Sequence, residues 1–431
     1  MVANIAAQAG AAQVREFTVF SNNNKSLNIS GGFIDLMVFQ SILDNTVRVS
    51  SIIADTGYRN KENSTAIFEQ DDLDLTAGER VNLQLEDGYG KILSFKDDTH
   101  LRIQQVNDID ESTNKAVLTI HLYSKEVIDN ELVDTRLNKR YDGRISESVQ
   151  QILKESLRTP KDVFIDQTIN HFSFLGNTEK PFYKLAWLGP KSVPDLPNAL
   201  GKLAGYFFFE TPEGYHFKSI DKLFTQTPKR KLVFTNTPFL PTGYNGKIVS
   251  YSISSSVNLD NTLKAGALTK PISKTFNPFN NTYNEEKNFS DVERLNPEFM
   301  GGIAPPQIAT DLDLWNKATK INSRWRPIGV LPPNPDAIEI EDWPIDDIVR
   351  QATARYNNLF NTRLNIVIPG DFSINAGDIL TCDFPEISSR ASKVISNKHS
   401  GNYLVVDIAH KITKENCYTS INLVRESIYK V

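Results

Sequence analysis

Cysteine is nearly missing: Cys382 and Cys417 are the only two in 431 residues. That excludes a disulfide scaffold and a cysteine-rich zinc site. The 6 histidines are scattered, which leaves little material for metal or acid–base chemistry. No apolar run reaches the roughly 18 residues that a membrane-spanning helix needs. An excess of basic charge is lacking as well. Lys+Arg 47 against Asp+Glu 52 gives a formal net charge of −5, where a dedicated nucleic-acid binder carries a basic stripe. The N-terminal residues Met1 to Ala12 are small and apolar. They have no basic start, and Asn4, Gln8 and Gly10 interrupt them, so they read as a flexible arm and not as a signal peptide. Assembly in a reducing cytoplasm is the expectation. His-Glu-x-x-His, Gly-x-Ser-x-Gly and phosphate-binding glycine loops do not occur.

What is present is ordinary globular material, 40% hydrophobic and 23% charged. At about 100–200 residues per domain, the length accommodates two to four domains. The first stretch reads as β. Val47 to Ile53 partly alternates, Val81 to Glu86 alternates strictly and ends at the turn signal Asp87-Gly88, and Leu101-Arg102-Ile103 starts another strand. Asp108 to Asn114 is polar and turn-like. Ala116, Leu118, Ile120 and Leu122 then oppose Val117, Thr119, His121 and Tyr123. Closely spaced strands of this kind predict an antiparallel sandwich or barrel.

Near residue 126 the period changes. Ile145, Val149, Ile152, Leu153 and Leu157 form one apolar helical stripe that Pro160 stops. A second helix is predicted from Pro194 to Tyr206, with Leu196, Leu200 and Leu203 inward. A hairpin then joins Phe207–Glu210 to Tyr215–Lys218 across Pro212-Glu213-Gly214. Residues 126–230 therefore read as an α+β insertion. Lys231 to Thr235 and Gly246 to Val257 return to β. The section 258–345 holds ten of the 21 prolines, which remove helix and ladder donors alike, and it reads as irregular. Trp315, Trp325 and Trp343 are its anchors, most simply as caps of a local core. A helix is predicted over Ile345–Phe360. The end is β: Leu364–Ile368, Ile379–Phe384, Tyr403–Ile412 and Tyr418–Arg425.

Two stretches resemble one another. Leu73-Asp74-Leu75-Thr76-Ala77-Gly78-Glu79-Arg80-Val81 matches Phe372-Ser373-Ile374-Asn375-Ala376-Gly377-Asp378-Ile379-Leu380, each placing Ala-Gly and an acid between two strands. Further on, Leu118–Leu122 corresponds to Thr419–Leu423. The shared order of elements predicts two copies of one β-barrel module in a single chain. A trimer of such chains makes a ring of six similar modules, able to match a sixfold partner while itself threefold.

With these residues in view, the chain resembles the central baseplate hub proteins of contractile-tailed bacteriophages, which are related to the spike base of type VI secretion. The resemblance covers most of the chain. It is carried by Gly143–Leu153, by Leu196–Lys218, and above all by Phe372–Leu380 followed by Gly401-Asn402-Tyr403-Leu404-Val405-Val406-Asp407-Ile408-Ala409-His410-Lys411-Ile412. The proline-rich 258–345 section departs from the family pattern. The resemblance implies a mainly β fold with an α+β insertion and two tail-tube-like β-barrel modules, as a pseudo-sixfold ring in a homotrimer. The corresponding division is a first barrel with its arm (1–125), the α+β insertion (126–230), a second, split barrel (231–257 and 362–431), and a proline-rich insertion with a terminal helix (258–361). It further implies a virion protein of the tail baseplate, assembled in the host cytoplasm. Such a protein adapts the hexameric tail tube to the trimeric cell-puncturing spike and surrounds a channel for tape measure and DNA. Implied partners are the spike or tail lysozyme protein, the tail tube protein, the tape measure protein and baseplate wedge proteins. Neither a membrane anchor nor sequence-specific nucleic-acid binding is implied, and in the family the lysozyme activity belongs to the spike.

The residues that bear chemistry have blander readings. His121 and His410 in strands read as packed or hydrogen-bonded groups. Cys382 and Cys417 read as a reduced buried pair in adjacent strands. Asp71-Asp72 and Asp97-Asp98 fall in turns, and Asp346-Asp347 in a first helical turn, where anions favour the dipole. A glycan-cleaving enzyme using paired carboxylates, and an adhesin stacking sugars on Trp315 and Trp325, are the competing classes. Lys229-Arg230-Lys231 and Asn138-Lys139-Arg140 read as solvated surface. No catalytic, cofactor-binding or metal-ligating residue is assigned, and no cofactor is expected. Ring contacts are expected from 33–53, 116–123, 247–257 and 418–425.

Overall fold

The computed structural model describes residues 10–22, 25–55, 75, 77–112, 115–195, 204–235, 237, 239–255, 272–277, 282–286, 321–325, 345–360, 362–385, 395–396 and 399–426. The first third is all strand: β1 (Ala12–Phe20), β2 (Ser26–Asn28), β3 (Phe33–Ser41), β4 (Arg48–Asp55), β5 (Arg80–Asp87), β6 (Ile92–Phe95), β7 (Leu101–Ser112) and β8 (Lys115–Ser124). Their alternation does what the pattern predicts. Val38, Val49, Leu85, Ile103, Ile120 and Leu122 point into one core, which also takes Phe17 and Val19 from β1. The tight turn after β5 forms because the Asp87 carboxylate accepts from the Tyr89 and Lys91 amides, at 2.9 and 2.8 Å.

Helices and short strands interleave next. In order come α1 (Glu126–Glu131), β9 (Arg140–Tyr141), α2 (Ile145–Gln151), β10 (Val163–Ile165), β11 (Phe174–Leu175), α3 (Pro181–Leu188), β12 (Tyr206–Thr211), β13 (Gly214–Ser219) and α4 (Ile220–Phe224). The stripe Ile145, Val149, Ile152, Leu153 and Leu157 is buried as its spacing predicts, with the last turns wound as a π-helix over Ile152–Ser156. The β12–β13 hairpin turns where Pro212-Glu213-Gly214 stands. Gly214 has φ +142, and a Cβ there would lie 2.2 Å from the Asp162 carbonyl oxygen, so only glycine fits. Most of the helix predicted from Pro194 to Tyr206 lies outside the described residues, Leu196, Leu200 and Leu203 included. Tyr206 itself opens β12, because its backbone pairs with Ser219.

This α+β part is fixed to the first sheet by a buried polar knot. Lys161 Nζ donates to Glu126 Oε2 at 2.7 Å and to Glu210 Oε1 at 2.6 Å. Glu210 also accepts from the Val47 amide and the Ser124 hydroxyl, both at 2.8 Å, at the ends of β4 and β8. Every polar group in the knot is thus used, the condition under which such a group is tolerated in a core.

The chain then returns to β with β14 (Arg230–Phe234), β15 (Gly246–Ile248) and β16 (Ser250–Ser255). The single strand predicted from Gly246 to Val257 is broken at Val249. β15 runs parallel to β14, whereas β16 runs antiparallel to a different strand, so the chain changes partners there. Within 258–345, where irregular structure is expected, three strands form a sheet of their own: β17 (Ile272–Asn277), β18 (Thr282–Glu286) and β19 (Ile321–Trp325). The β17–β18 ladder avoids the prolines, which flank it at 271, 278 and 297. Helix α5 (Ile345–Leu359) matches its prediction. Its Arg355 guanidinium grips Asp221 of α4 with two bonds of 2.9 and 2.7 Å, and the Tyr356 hydroxyl accepts from the Tyr206 amide at 2.9 Å. The last strands are β20 (Thr362–Pro369), β21 (Ile379–Asp383), β22 (Gly401–Thr413) and β23 (Cys417–Arg425). They enclose a core of Leu364, Ile366, Leu380, Tyr403, Ile408 and Ile421, among others.

One continuous sheet of 15 strands contains both halves. Eight of its strands form an unbroken antiparallel run in the order β16-β20-β23-β22-β3-β4-β8-β7.

Candidate assembly surface

The two halves of that run are copies of one strand order. The first reads β3-β4-β8-β7, flanked by β5, and the second β16-β20-β23-β22, flanked by β21. The likeness extends to single hydrogen bonds. The Gly78 amide donates to the Ile103 carbonyl at 2.7 Å, and the Gly377 amide to the Val405 carbonyl at 2.9 Å. Ile103 N–H returns a bond to Glu79 O at 3.0 Å, and Val405 N–H to Asp378 O at 2.9 Å. Both glycines sit at positive φ, +92 and +89, which explains why Ala-Gly and an acid recur at this corner. One residue later each long strand carries a bulge in the same place, at Gln104 in β7 and Val406 in β22. Beyond the bulge, Ile120 faces Val106 as Ile421 faces Ile408, in keeping with the sequence match of Leu118–Leu122 to Thr419–Leu423.

The copies meet edge to edge. Up to its bulge β22 is paired with β21; beyond it, Asp407 to Thr413 pair with Ser41 to Asp35 of β3. The bulge carbonyl of Val406 accepts from the Ile42 amide at 2.9 Å. β7 behaves likewise only as far as its bulge, where β5 pairs with Leu101 and Arg102. From Gln105 onward its outer edge has no strand partner among the described residues. The outer edge of β16 is likewise unpaired among the described residues.

One face of the run is buried, through Leu36, Val38, Val49, Ile408 and Ile412. The other is half-buried or exposed and mostly uncharged, with Ser50, Thr119, His121, Ser252, Ser420 and Asn422. Around the join its charges are paired. Lys411 bridges to Asp35 at 3.0 Å, Arg48 pairs with Asp44, and Asp407 accepts from Ser41 and Asn422 at 2.5 and 3.0 Å.

The residues singled out in the sequence sit apart from one another. His121 is half-buried in β8. His410 is fully buried in β22, bonded to the Thr419 hydroxyl at 2.9 Å and set edge-on to Phe372, and burial pushes its pKa down to about 4. The cysteines are free and buried, but they are not on adjacent strands: Cys382 is in β21 and Cys417 in β23, with β22 between them, and each belongs to a different core. Burial raises both thiols, Cys417 to about 12, far from the range of a nucleophile. Asp97 and Asp98 lie in a 3-10 turn, with Asp97 exposed and 3.9 Å from Arg80. Asp71 and Asp72, Trp315 and Trp343, and the side chains of Asp346, Asp347 and Trp325 lie outside the described residues. The basic runs are tied down. Arg230 bonds Asp371 at 2.8 Å and Lys229 lies 3.5 Å from Asp378. Lys139 pairs with Glu155, and Arg140 with Asp142 at 2.8 Å. Among the described residues no three His, Cys, Asp or Glu side chains gather as a metal site would require.

The sequence reading missed the outer edge of β7. The polar stretch from Asp108 looks like a turn, yet the strand runs on to Ser112 because the ladder to β8 holds it. The knot of Glu126, Lys161 and Glu210 was also missed; residues so far apart in sequence leave no local signal.

No family model matches this sequence, and no curated protein does. Solved structures match it over nearly its whole length. The tail protein from Neisseria meningitidis MC58 superposes with a TM-score of 0.52 at 10% identity, over 96% of this chain and 97% of that one. The 43 kDa tail protein of prophage MuSo2 from Shewanella oneidensis superposes with a TM-score of 0.50 at 9% identity, over 96% and 98%. The chain therefore has the fold of these phage tail proteins, as its sequence led us to expect.

Proposed function

We propose that this chain is the structural hub of a contractile-tail baseplate: a homotrimer that adapts the hexameric tail tube to a trimeric cell-puncturing spike. The observation that carries this reading is the edge-to-edge join of two copies of one strand order, with an edge at each end of the run that has no strand partner among the described residues. Three such chains present six similar modules around one axis, so one ring meets a sixfold partner on one side and a threefold partner on the other. The likeness in fold to two tail proteins supports the same reading. On it, residues 1–125 and the split segment 231–257 with 362–431 are two barrels. The α+β part (126–230) and the 258–361 section are insertions.

The central opening is the channel for tape measure and DNA. Its wall is the mostly uncharged face of the eight-strand run, whose hydroxyls and charges paired around the join offer few fixed cations to phosphate, so a polyanion slides without being held. The hub works by geometry, with no catalytic role; wall-degrading activity resides in the spike. Spike or tail lysozyme, tail tube, tape measure and wedge proteins are the partners, and the tail baseplate of the virion is the location. Light scattering of the purified chain with negative-stain imaging tests this: three chains in a threefold ring with an open centre are expected. A monomer at high concentration that also binds no tail protein overturns it.

A further inference from the structure

We infer that the join of the two modules carries a seat for a basic side chain, and that its occupant is a lysine or arginine on a threefold-symmetric protein that fills the channel before DNA does. This rests on the hub reading above and adds to it a binding site and the charge of what it binds.

A cavity of about 310 Å³ opens on the mostly uncharged face of the run, where β22 meets β3. Phe39, Ser41, Arg48, Asp407, Ala409 and Asn422 are among its lining residues. The Phe39 ring is exposed and Ala409 half-buried, so part of the cavity is apolar. Asp407 is its unmet charge. The carboxylate accepts from the Ser41 hydroxyl at 2.5 Å and from the Asn422 amide at 3.0 Å, both neutral groups. Among the described residues no lysine or arginine pairs with it: Arg48, on the same cavity, is taken by Asp44, and Lys411 by Asp35. Half-buried, the carboxylate is only partly screened by water and attracts a cation more strongly than one in free solution. A long basic side chain fits both parts of the cavity. Its methylene stem lies on Phe39 and Ala409 while its head reaches Asp407. An arginine also stacks on the Phe39 ring. Phosphate is repelled at the same place, so the seat does not hold DNA.

The likeness of the two modules gives the symmetry of the occupant. Asp407 follows the bulge at Val406 and lies opposite Asn422. The equivalent residue of β7, directly after the bulge at Gln104, is Gln105, opposite His121. The carboxylate of one module is a neutral amide in the other. A feature common to both modules occurs six times in a trimer, whereas one confined to a single module occurs three times. Asp407 therefore marks the wall with a threefold pattern. A protein of three chains, coaxial with the ring, presents three equivalent basic side chains at one height and fills all three seats together. Each ion pair is weak alone, and three borne by one body act jointly. Contacts of this kind hold an occupant in place and still let it leave.

The test is carboxyl footprinting of the full chain in three states: the free trimer, tails before ejection, and tails emptied of their contents. Carbodiimide with glycine ethyl ester converts each accessible carboxylate to an amide, and peptide mass spectrometry reads the extent at each position. Asp407 is expected to react in the free trimer and in emptied tails, and at least about tenfold less in filled tails, because joined contacts keep the site occupied. The Gln105→Glu variant is the control. It places a carboxylate at the equivalent position of the other module, and that group is expected to react in all three states. Equal labelling of Asp407 in filled and emptied tails overturns the seat. Equal protection of both positions in filled tails overturns it too, since the bore is then filled without recognition. In either case a trimer by light scattering leaves the hub reading standing. A monomer overturns both.

Discussion

Replacing Lys161 with methionine tests the polar knot that mounts the α+β part on the first sheet. Lys161, Glu126 and Glu210 have side chains 7%, 1% and 2% exposed, so water does little to screen them. At 2.6–2.7 Å and an effective dielectric of about 20, each carboxylate attracts the ammonium by about 6 kcal/mol, most of it offset by desolvation. Removing the cation strands two carboxylates in a core, and stripping one partner from a buried pair costs about 3–5 kcal/mol. The pH dependence identifies the cause. Burial raises the Glu210 pKa against the pull of Lys161, while the two carboxylates hold Lys161 above its ordinary value despite its burial. A carboxyl raised in the folded state stabilises fully below its unfolded pKa, near 4.5, and loses that contribution as pH rises through the folded value. Without Lys161 the Glu210 pKa rises further. The Lys161→Met variant should therefore be destabilised less at pH 5 than at pH 8, with a slope of up to about 1.4 kcal/mol per pH unit. Urea unfolding of both proteins at the two pH values measures this. A loss below about 1 kcal/mol at pH 8, or one equal at both pH values, refutes the reasoning.

Two further outcomes follow from groups already described. His410 is held neutral, down from 6.5 to about 4, so its contribution is complete above about pH 6.5 and is lost as pH falls towards 4. His410→Gln should remove up to about 3 kcal/mol of acid sensitivity from the unfolding curve between those limits, and NMR titration should show the His410 signal unmoved above pH 5, as is that of His216, which burial also holds down to about 4. Gly214→Ala forces a methyl group to 2.2 Å from a carbonyl oxygen at φ +142. It should cost about 3 kcal/mol or more in urea unfolding, whereas Gly78→Ala, with open space around its Cβ, should cost only the strain of its φ, about 1–2 kcal/mol.

The strands that alternate were legible because burial on one face leaves a period of two: 81–86, 116–123 and 418–425 all folded as read. The corner at Gly78 and Gly377 was legible because only a special backbone needs that residue type. What escaped was set by partners. Val249 breaks a strand because the two sides pair with different neighbours. Asp108 to Ser112 stays extended because β8 supplies the hydrogen bonds. Cys382 and Cys417 ended in separate cores because β22 runs between their strands. The join itself is made of backbone amides and carbonyls, which every residue carries, and the two bulges fall on Gln104 and Val406, side chains with nothing in common. Such a surface has no sequence motif; its likeness to the other half lies in the hydrogen bonds alone.

The chain leaves the sheet at Ser255 and is back in it at Thr362, and these two residues are paired with each other across β16 and β20. The outward and homeward paths thus share one rung of the ladder, and the homeward helix is moored separately, through Arg355 on Asp221 and Tyr356 on Tyr206. Whatever lies between is a cassette whose two posts are set by the rest of the molecule. A change of length between the two posts would leave that shared rung in place.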